Sequence, residues 1–178
     1  MPILTGWFEE VEPVVPVLSF IGRHNSGKTT VLQGVVRFFS DQGYRVGVIK
    51  HSSHDFTIDV PDTDSYRLAK AGARAVALSS AYKLAFYKNV HRDYPLNELC
   101  QLMRDEVDII FAEGFKRESQ SKIEVVRECI SRELINPDNL VAMVADFPIK
   151  QAQVPVFGFD ETESLCRFIQ EKFMGNQQ

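Results

Sequence analysis

Apolar positions along this chain follow two different periods. Val14–Ile21 is a nearly continuous apolar run of strand length, while Lys28–Gln42 carries Val31, Leu32, Val35, Val36 and Phe39 at helical spacing. Gly43 stands where a helix-stopping glycine belongs. "YRVGVIKH" then reads as a second strand and "SSHDFTIDVP" as a polar loop. "DTDSYRLAKAG" reads as a helix with Asp62 as its N-cap and Gly72 as its stop. "ARAVALSS" and "KLAFYKNV" are short strands a few residues apart, which predicts an antiparallel hairpin. "PLNELCQLMRDE" is an amphipathic helix, and "VDIIFAE" has the apolar run of a strand buried on both faces. "KIEVVRE", "NLVAMVAD" and "VPVFGF" supply three more strands before the closing helix "DETESLCRFIQEKFM".

Strands alternating with helices predict an α/β fold, a three-layer sandwich with a mostly parallel central sheet, helices on both faces and the antiparallel hairpin added. At 178 residues the chain suits one domain, residues 14–178, after a short N-terminal arm, residues 1–13, whose Trp7 and Phe8 are placed to pack on the body.

The formal charge of −4 argues against a broad basic coat for nucleic acid, but an acidic protein still binds phosphate through local backbone dipoles. No apolar run approaches the ~20 residues that cross a bilayer, and the N-terminus lacks the basic-then-apolar pattern of a secretory signal. Cys100, Cys129 and Cys166 lie far apart with no CxxC pair, as expected of reduced thiols, so the expected compartment is the cytoplasm.

Against this background one stretch is unusual. Between the first strand and the first helix, Gly22-Arg23-His24-Asn25-Ser26-Gly27-Lys28-Thr29 fits G-x-x-x-x-G-K-[ST]. Glycines let several N–H groups turn round one anion, and the helix aims its positive end at the same point. In that arrangement Lys28 reaches the β- and γ-phosphates and the Thr29 hydroxyl ligates Mg²⁺. A chance match falls in roughly one chain in a hundred of this length, and fewer still place it between a strand and a helix.

Such a loop works with a carboxylate at the end of a neighbouring buried strand. "VDIIFAEGFK" offers Glu113 followed by Gly114, whereas Asp108 stands at the opposite end of the same strand. A third segment, "KHSSHDFTIDVPDTDS", collects Lys50, His51, His54, Asp55, Asp59, Asp62 and Asp64 after the second strand. In parallel sheets the loops beyond strand C-termini line the ligand crevice, so Lys50 and His51 are candidates to face phosphate and Asp55 or Asp64 to hold Mg²⁺ or position water. A dedicated Zn²⁺ site at His51, His54 and Asp55 ranks lower, because a loop does not guarantee that ligands converge.

"GRHNSGKTT", "GVIKHSSHDFTIDVPDTDSYRLAKAGA" and "DIIFAEGFK" together resemble, in order and spacing, the MobB family of molybdopterin-guanine dinucleotide biosynthesis adaptor proteins, over about residues 16–146. The middle block is the specific part of the likeness. The resemblance implies a P-loop GTP-binding fold, a homodimer, weak Mg²⁺-dependent GTP hydrolysis, and partnership with the guanylyltransferase that joins GMP to molybdopterin and with molybdopterin-bearing proteins. By position, Gly22 to Thr30 match its phosphate loop, Lys50 to Asp64 its second block, and Glu113-Gly114 its acidic strand end. Family members often carry glycine where this chain has Asp62, and Arg23 takes the slot where a related P-loop group keeps a lysine that reaches across a dimer. The guanine-reading N-K-x-D string is absent; Asp146, ending "VAMVAD", is the candidate to accept from the guanine edge, or else caps the turn that follows.

The expected site therefore comprises Gly22, Arg23, His24, Asn25, Ser26, Gly27, Lys28, Thr29, Thr30, Lys50, His51 and Asp146 around GTP, with Lys28, Glu113 and Asp64 in catalysis and Thr29, Glu113 and Asp55 near Mg²⁺. Rival readings are a small-molecule kinase using the same loop, and a non-catalytic protein that delivers cofactor or metal under nucleotide control.

Overall fold

The computed structural model describes residues 15–175, so the predicted arm lies outside the described residues. Strand β1 (Val17–Ile21) leads through the glycine loop into α1 (Lys28–Asp41), and β2 (Val46–Lys50) follows. After α2 (Asp64–Lys70) come β3 (Ala75–Ser79), β4 (Leu84–Lys88) and α3 (Leu96–Gln101). The rest is β5 (Ile109–Glu113), β6 (Ser121–Val126), β7 (Leu140–Ala145), β8 (Val156–Phe157) and α4 (Thr162–Ile169), which ends in a π-helical turn.

Six strands form one parallel sheet in the order β2-β5-β1-β6-β7-β8. β1 thus lies at the centre, flanked by β5 and β6, and the register sets Phe20 of β1 beside Glu113 of β5 and Glu113 beside Lys50 of β2. The predicted hairpin forms as β3–β4, a separate two-stranded sheet. It stands against α2 and is tied there by the Tyr87 hydroxyl, which donates to Asp59 Oδ2 at 2.8 Å.

On one face, α1 and α4 cover the sheet. Val31, Leu32, Val35 and Phe39 of α1 and Leu165, Cys166 and Ile169 of α4 pack on Leu18, Phe20, Phe111, Ile123 and Val125. The rings of Phe20 and Phe39 both meet Phe111 edge-on, at 5.9 and 5.5 Å between centroids, the geometry the ring quadrupole favours. Gln42 ends α1 and Gly43 follows at φ 85°, as the sequence suggested.

The other face is covered by two different means. Over β2 and β5, Leu96 of α3 seals Ile49, Ile110 and Ala112. Over β6, Lys122 and Glu124 point where a helix would otherwise pack, yet both are 1% exposed. Lys122 donates to the carbonyls of Glu118, Gln120 and Asp138, and Glu124 accepts from the amides of Ile135 and Asn136. Segment 127–139 is thereby strapped to the sheet by two buried charges bonded to backbone, which satisfies groups that are costly to bury unpaired.

One expected cap is corrected. Asp62 adopts φ 69°, in the left-handed region, while an N-cap needs extended backbone. Thr63, at φ −73° and ψ 162°, is the cap of α2, its hydroxyl accepting from the Tyr66 amide at 3.4 Å. Aspartate is among the residues that tolerate this conformation.

Candidate functional site

The C-terminal edge of the parallel sheet gathers the loop after β1, the end of β2 and the end of β5. A Cβ on Gly22 would collide with the Val125 carbonyl of β6, so the loop can enter this close to the sheet only with glycine there. Gly27 lies at φ 89°, and α1 begins at the next residue. The left-handed residue turns the chain so that the unpaired N–H groups of the first helical turn face the loop's interior, the arrangement that holds an anion. Lys28 Nζ lies back over this loop, donating to the Arg23 carbonyl at 2.7 Å.

Glu113 meets the loop from β5. The Thr29 hydroxyl donates to Glu113 Oε2 at 2.9 Å, and Lys50 Nζ lies 3.5 Å from the same oxygen. Burial lowers the Lys28 pKa below 10.5, Glu113 opposes that shift, and the charges of Lys116 and Lys50 add to it. Lys28, Lys50 and Lys116 thus lie close enough to influence one another beside Glu113, a surplus of positive charge that suits a polyanion. Thr29 and Glu113 offer a hydroxyl and a carboxylate, hard oxygen donors that fit Mg²⁺, which takes only one or two protein carboxylates beside phosphate oxygens. Among the described residues no group of three or more His, Cys, Asp and Glu side chains could hold a metal by itself.

The second sequence block divides. Lys50 and His51 belong to the site: the His51 amide donates to the Glu113 carbonyl, and its Nε2 lies 3.0 Å from Asp93 Oδ2. Sequence reasoning missed Asp93, which lies 42 residues from His51 along the chain. Beyond His51 the chain turns away. Asp55 Oδ1 accepts from the next amide, that of Phe56, and Asp64 opens the first turn of α2. No hydrogen bond or ion pair links Asp55 or Asp64 to the loop among the described residues, so the structure does not join them to Thr29 and Glu113. Asp59 instead anchors the segment to the hairpin, and hydrogen bonds led by Ser65 hold its carboxyl below the usual range.

On the opposite flank of β1, Arg23 pairs with Glu133 of the strap within the same chain. His24 and Asn25 are exposed at the loop tip, with Asn25 at φ 59°, while Ser26 is buried and Thr30 exposed on α1. Asp146 follows β7 and accepts from the Glu128 amide at 2.7 Å through Oδ1. That is the capping use a strand-end aspartate commonly has; Oδ2 carries no hydrogen bond among the described residues.

A groove of about 1010 Å³ opens at the other end of the sheet between Pro16, Tyr44, Arg45, Asp108 and Phe173. It shares no lining residue with the glycine loop, Lys50, His51 or Glu113.

Comparison with known proteins identifies the family. The sequence model of MobB, molybdopterin guanine dinucleotide synthesis protein B, matches residues 17–146, which runs from β1 to Asp146. The chain is 31% identical to the molybdopterin-guanine dinucleotide biosynthesis adapter protein of Escherichia coli K12, over 89% of this chain and 93% of that one. It is 33% identical to the Haemophilus influenzae adapter protein, over 76% and 78%. The crystal structure of Bacillus subtilis MobB superposes with a TM-score of 0.74 at 25% identity, covering 90% of this chain and 99% of that one. With the family model spanning residues 17–146, most of the chain, the protein belongs to the MobB family of molybdopterin guanine dinucleotide synthesis.

Proposed function

We propose that this MobB-family protein is a GTP-binding adaptor with slow, Mg²⁺-dependent GTPase activity. On this reading it acts in the cytoplasm beside the guanylyltransferase that joins GMP to molybdopterin. The observation that carries the reading is the junction of loop and carboxylate, where Gly22 and Gly27 shape the loop, Lys28 lies over it and Thr29 is bonded to Glu113. Amides of the loop and the Lys28 ammonium bind the β- and γ-phosphates, and Lys50 adds charge at the γ end. Thr29 and Glu113 hold Mg²⁺, which when bound neutralises charge between those phosphates. Phosphoryl transfer depends mostly on positioning and charge neutralisation, and the amide of Gln120, near the end of β5, is engaged with Ser19 Oγ and the Phe115 carbonyl, which suits slow turnover.

The paired subunit of the proposed homodimer docks on the hairpin. Leu84 and Phe86 share one face of β4, 73% and 62% exposed, opposite Ser79 and Ala77 of β3. Phe56, Ile58 and Leu68 extend the exposed apolar surface nearby in sequence and around α2. Exposed apolar residues of this kind suit an interaction surface.

Calorimetric titration of GTP, GDP and ATP with and without Mg²⁺, on the intact protein and on Lys28→Ala, tests the proposal. GTP and GDP are expected to bind the intact protein and to lose at least about 100-fold in affinity on Lys28→Ala, in line with loss of several charge-assisted hydrogen bonds. Undiminished affinity in the variant would refute the reading.

A further inference from the structure

Two buried side-chain atoms among the described residues have no hydrogen-bond partner, Ser26 Oγ and Arg127 Nε. Both line one small cavity, about 10 Å³, between the underside of the glycine loop and the start of the strap. Unsatisfied buried groups in a well-bonded structure concentrate where function has required them.

Arg127 follows β6 directly and lies flat beside the loop. Its guanidinium carbon is 4.1 Å from the centre of the Phe159 ring, and its Nη2 would lie 3.2 Å from a Cβ on Gly27. Phe159 itself would lie 2.9 Å from that Cβ, so the two side chains and Gly27 form a packed stack. Neighbouring arginines are neutralised, Arg23 by Glu133 and Arg132 by Glu128. Among the described residues the Arg127 side chain has no carboxylate partner and no hydrogen bond, although five N–H groups project from the edge of its guanidinium. A cation stacked on an aromatic ring keeps its donor edge free and gains a fixed orientation, which is how arginine presents itself to phosphate.

Direction follows from the sheet. Glu113 and Thr29 mark the β1–β5 side as the place of the metal and terminal phosphates, while Arg127, Asp146 and Phe159 follow β6, β7 and β8 on the other flank. A nucleotide whose γ-phosphate lies toward Glu113 runs its α-phosphate toward Arg127. We propose that Arg127 binds the α-phosphate of a nucleoside di- or triphosphate and that Phe159 holds its guanidinium in plane. This deepens the nucleotide reading above and rests on it.

The test is calorimetry with GDP and GTP on intact protein, Arg127→Ala, Arg127→Lys and Phe159→Leu, with apo melting temperatures as a folding control. Arg127→Ala is expected to weaken GDP and GTP by the same factor, about 10- to 100-fold, as loss of a charged hydrogen bond predicts. The GTP/GDP affinity ratio stays fixed, because the α-phosphate is common to both. Arg127→Lys restores part of the loss, and Phe159→Leu shows a smaller, equally uniform one. Unchanged affinities in Arg127→Ala overturn the proposal, as does a lowered apo melting temperature with nucleotide affinities intact. A loss confined to GTP overturns it too, by placing Arg127 at the γ end. Failure of the intact protein to bind either nucleotide is a different result, which removes the nucleotide reading itself.

Discussion

The Thr29 hydroxyl donates to Glu113 Oε2 at 2.9 Å although 84 residues of chain separate them. This bond brings the first residue able to ligate a metal in α1 to the one carboxylate that ends β5, and adjacency of β1 and β5 in the sheet is what makes it possible. Glu113→Gln keeps the shape and removes the charge. Turnover of GTP is expected to fall about 100-fold with Mg²⁺ present, comparable to loss of one preorganised electrostatic contact. Affinity for GDP without Mg²⁺ should change by less than about threefold, since a lost carboxylate only relieves repulsion of phosphate. Steady-state phosphate release and Mg²⁺-free titration are the two measurements.

Burial gives Lys28 a pKa below 10.5 in the free protein, and phosphate favours its charged form. Binding therefore takes up a proton once pH rises into the range of the lowered pKa, and affinity declines from there upward. Below that range Lys28 is already charged and its contribution is constant. Arginine stays charged throughout, so the affinity ratio of intact protein to Lys28→Arg should fall as pH rises through the range of the lowered pKa. A ratio that stays flat through pH 10.5 would mean that Lys28 makes no charged contact with the ligand.

The strap over β6 depends on one buried carboxylate. Glu124→Gln replaces an oxygen that accepts from Ile135 or Asn136 with an NH₂ group facing an amide N–H. The expected loss is about 2–4 kcal/mol of unfolding free energy, the range for leaving a buried polar group unsatisfied or breaking a buried charged contact. Urea denaturation measures it. Lys122→Met should cost less than Glu124→Gln, because a methionine stem fills the same space while the three carbonyls can turn to water or neighbouring donors.

Phe86→Asp introduces a charge on the exposed face of the hairpin, away from the main sheet. Light scattering is expected to report a dimer for the intact protein and a monomer for the variant, with GDP affinity within about twofold of the original, since the substitution lies outside the phosphate site. Persistence of the dimer would move the subunit contact elsewhere.

The parallel sheet, the glycine loop and the acidic end of β5 were legible in the sequence because each is a local signal: a continuous apolar run, two glycines at fixed spacing, a carboxylate beside a glycine. Strap and second block were not. "KIEVV" alternates charge with apolar residues and so resembles a strand with one wet face, yet Lys122 and Glu124 are buried because the chain beyond β6 folds back over them. The aspartates of the second block read as metal ligands by their density, whereas the hairpin draws Asp59 away from the loop.

Chain order and residue type by themselves determined which segments are strands or helices and that a glycine loop joins the first pair, since hydrophobic period and glycine spacing act over a few residues. Only the tertiary structure decided that β5 and β6 both flank β1. That arrangement sets Glu113 and Arg127 on opposite sides of one loop, because strand order depends on packing between segments far apart in the chain.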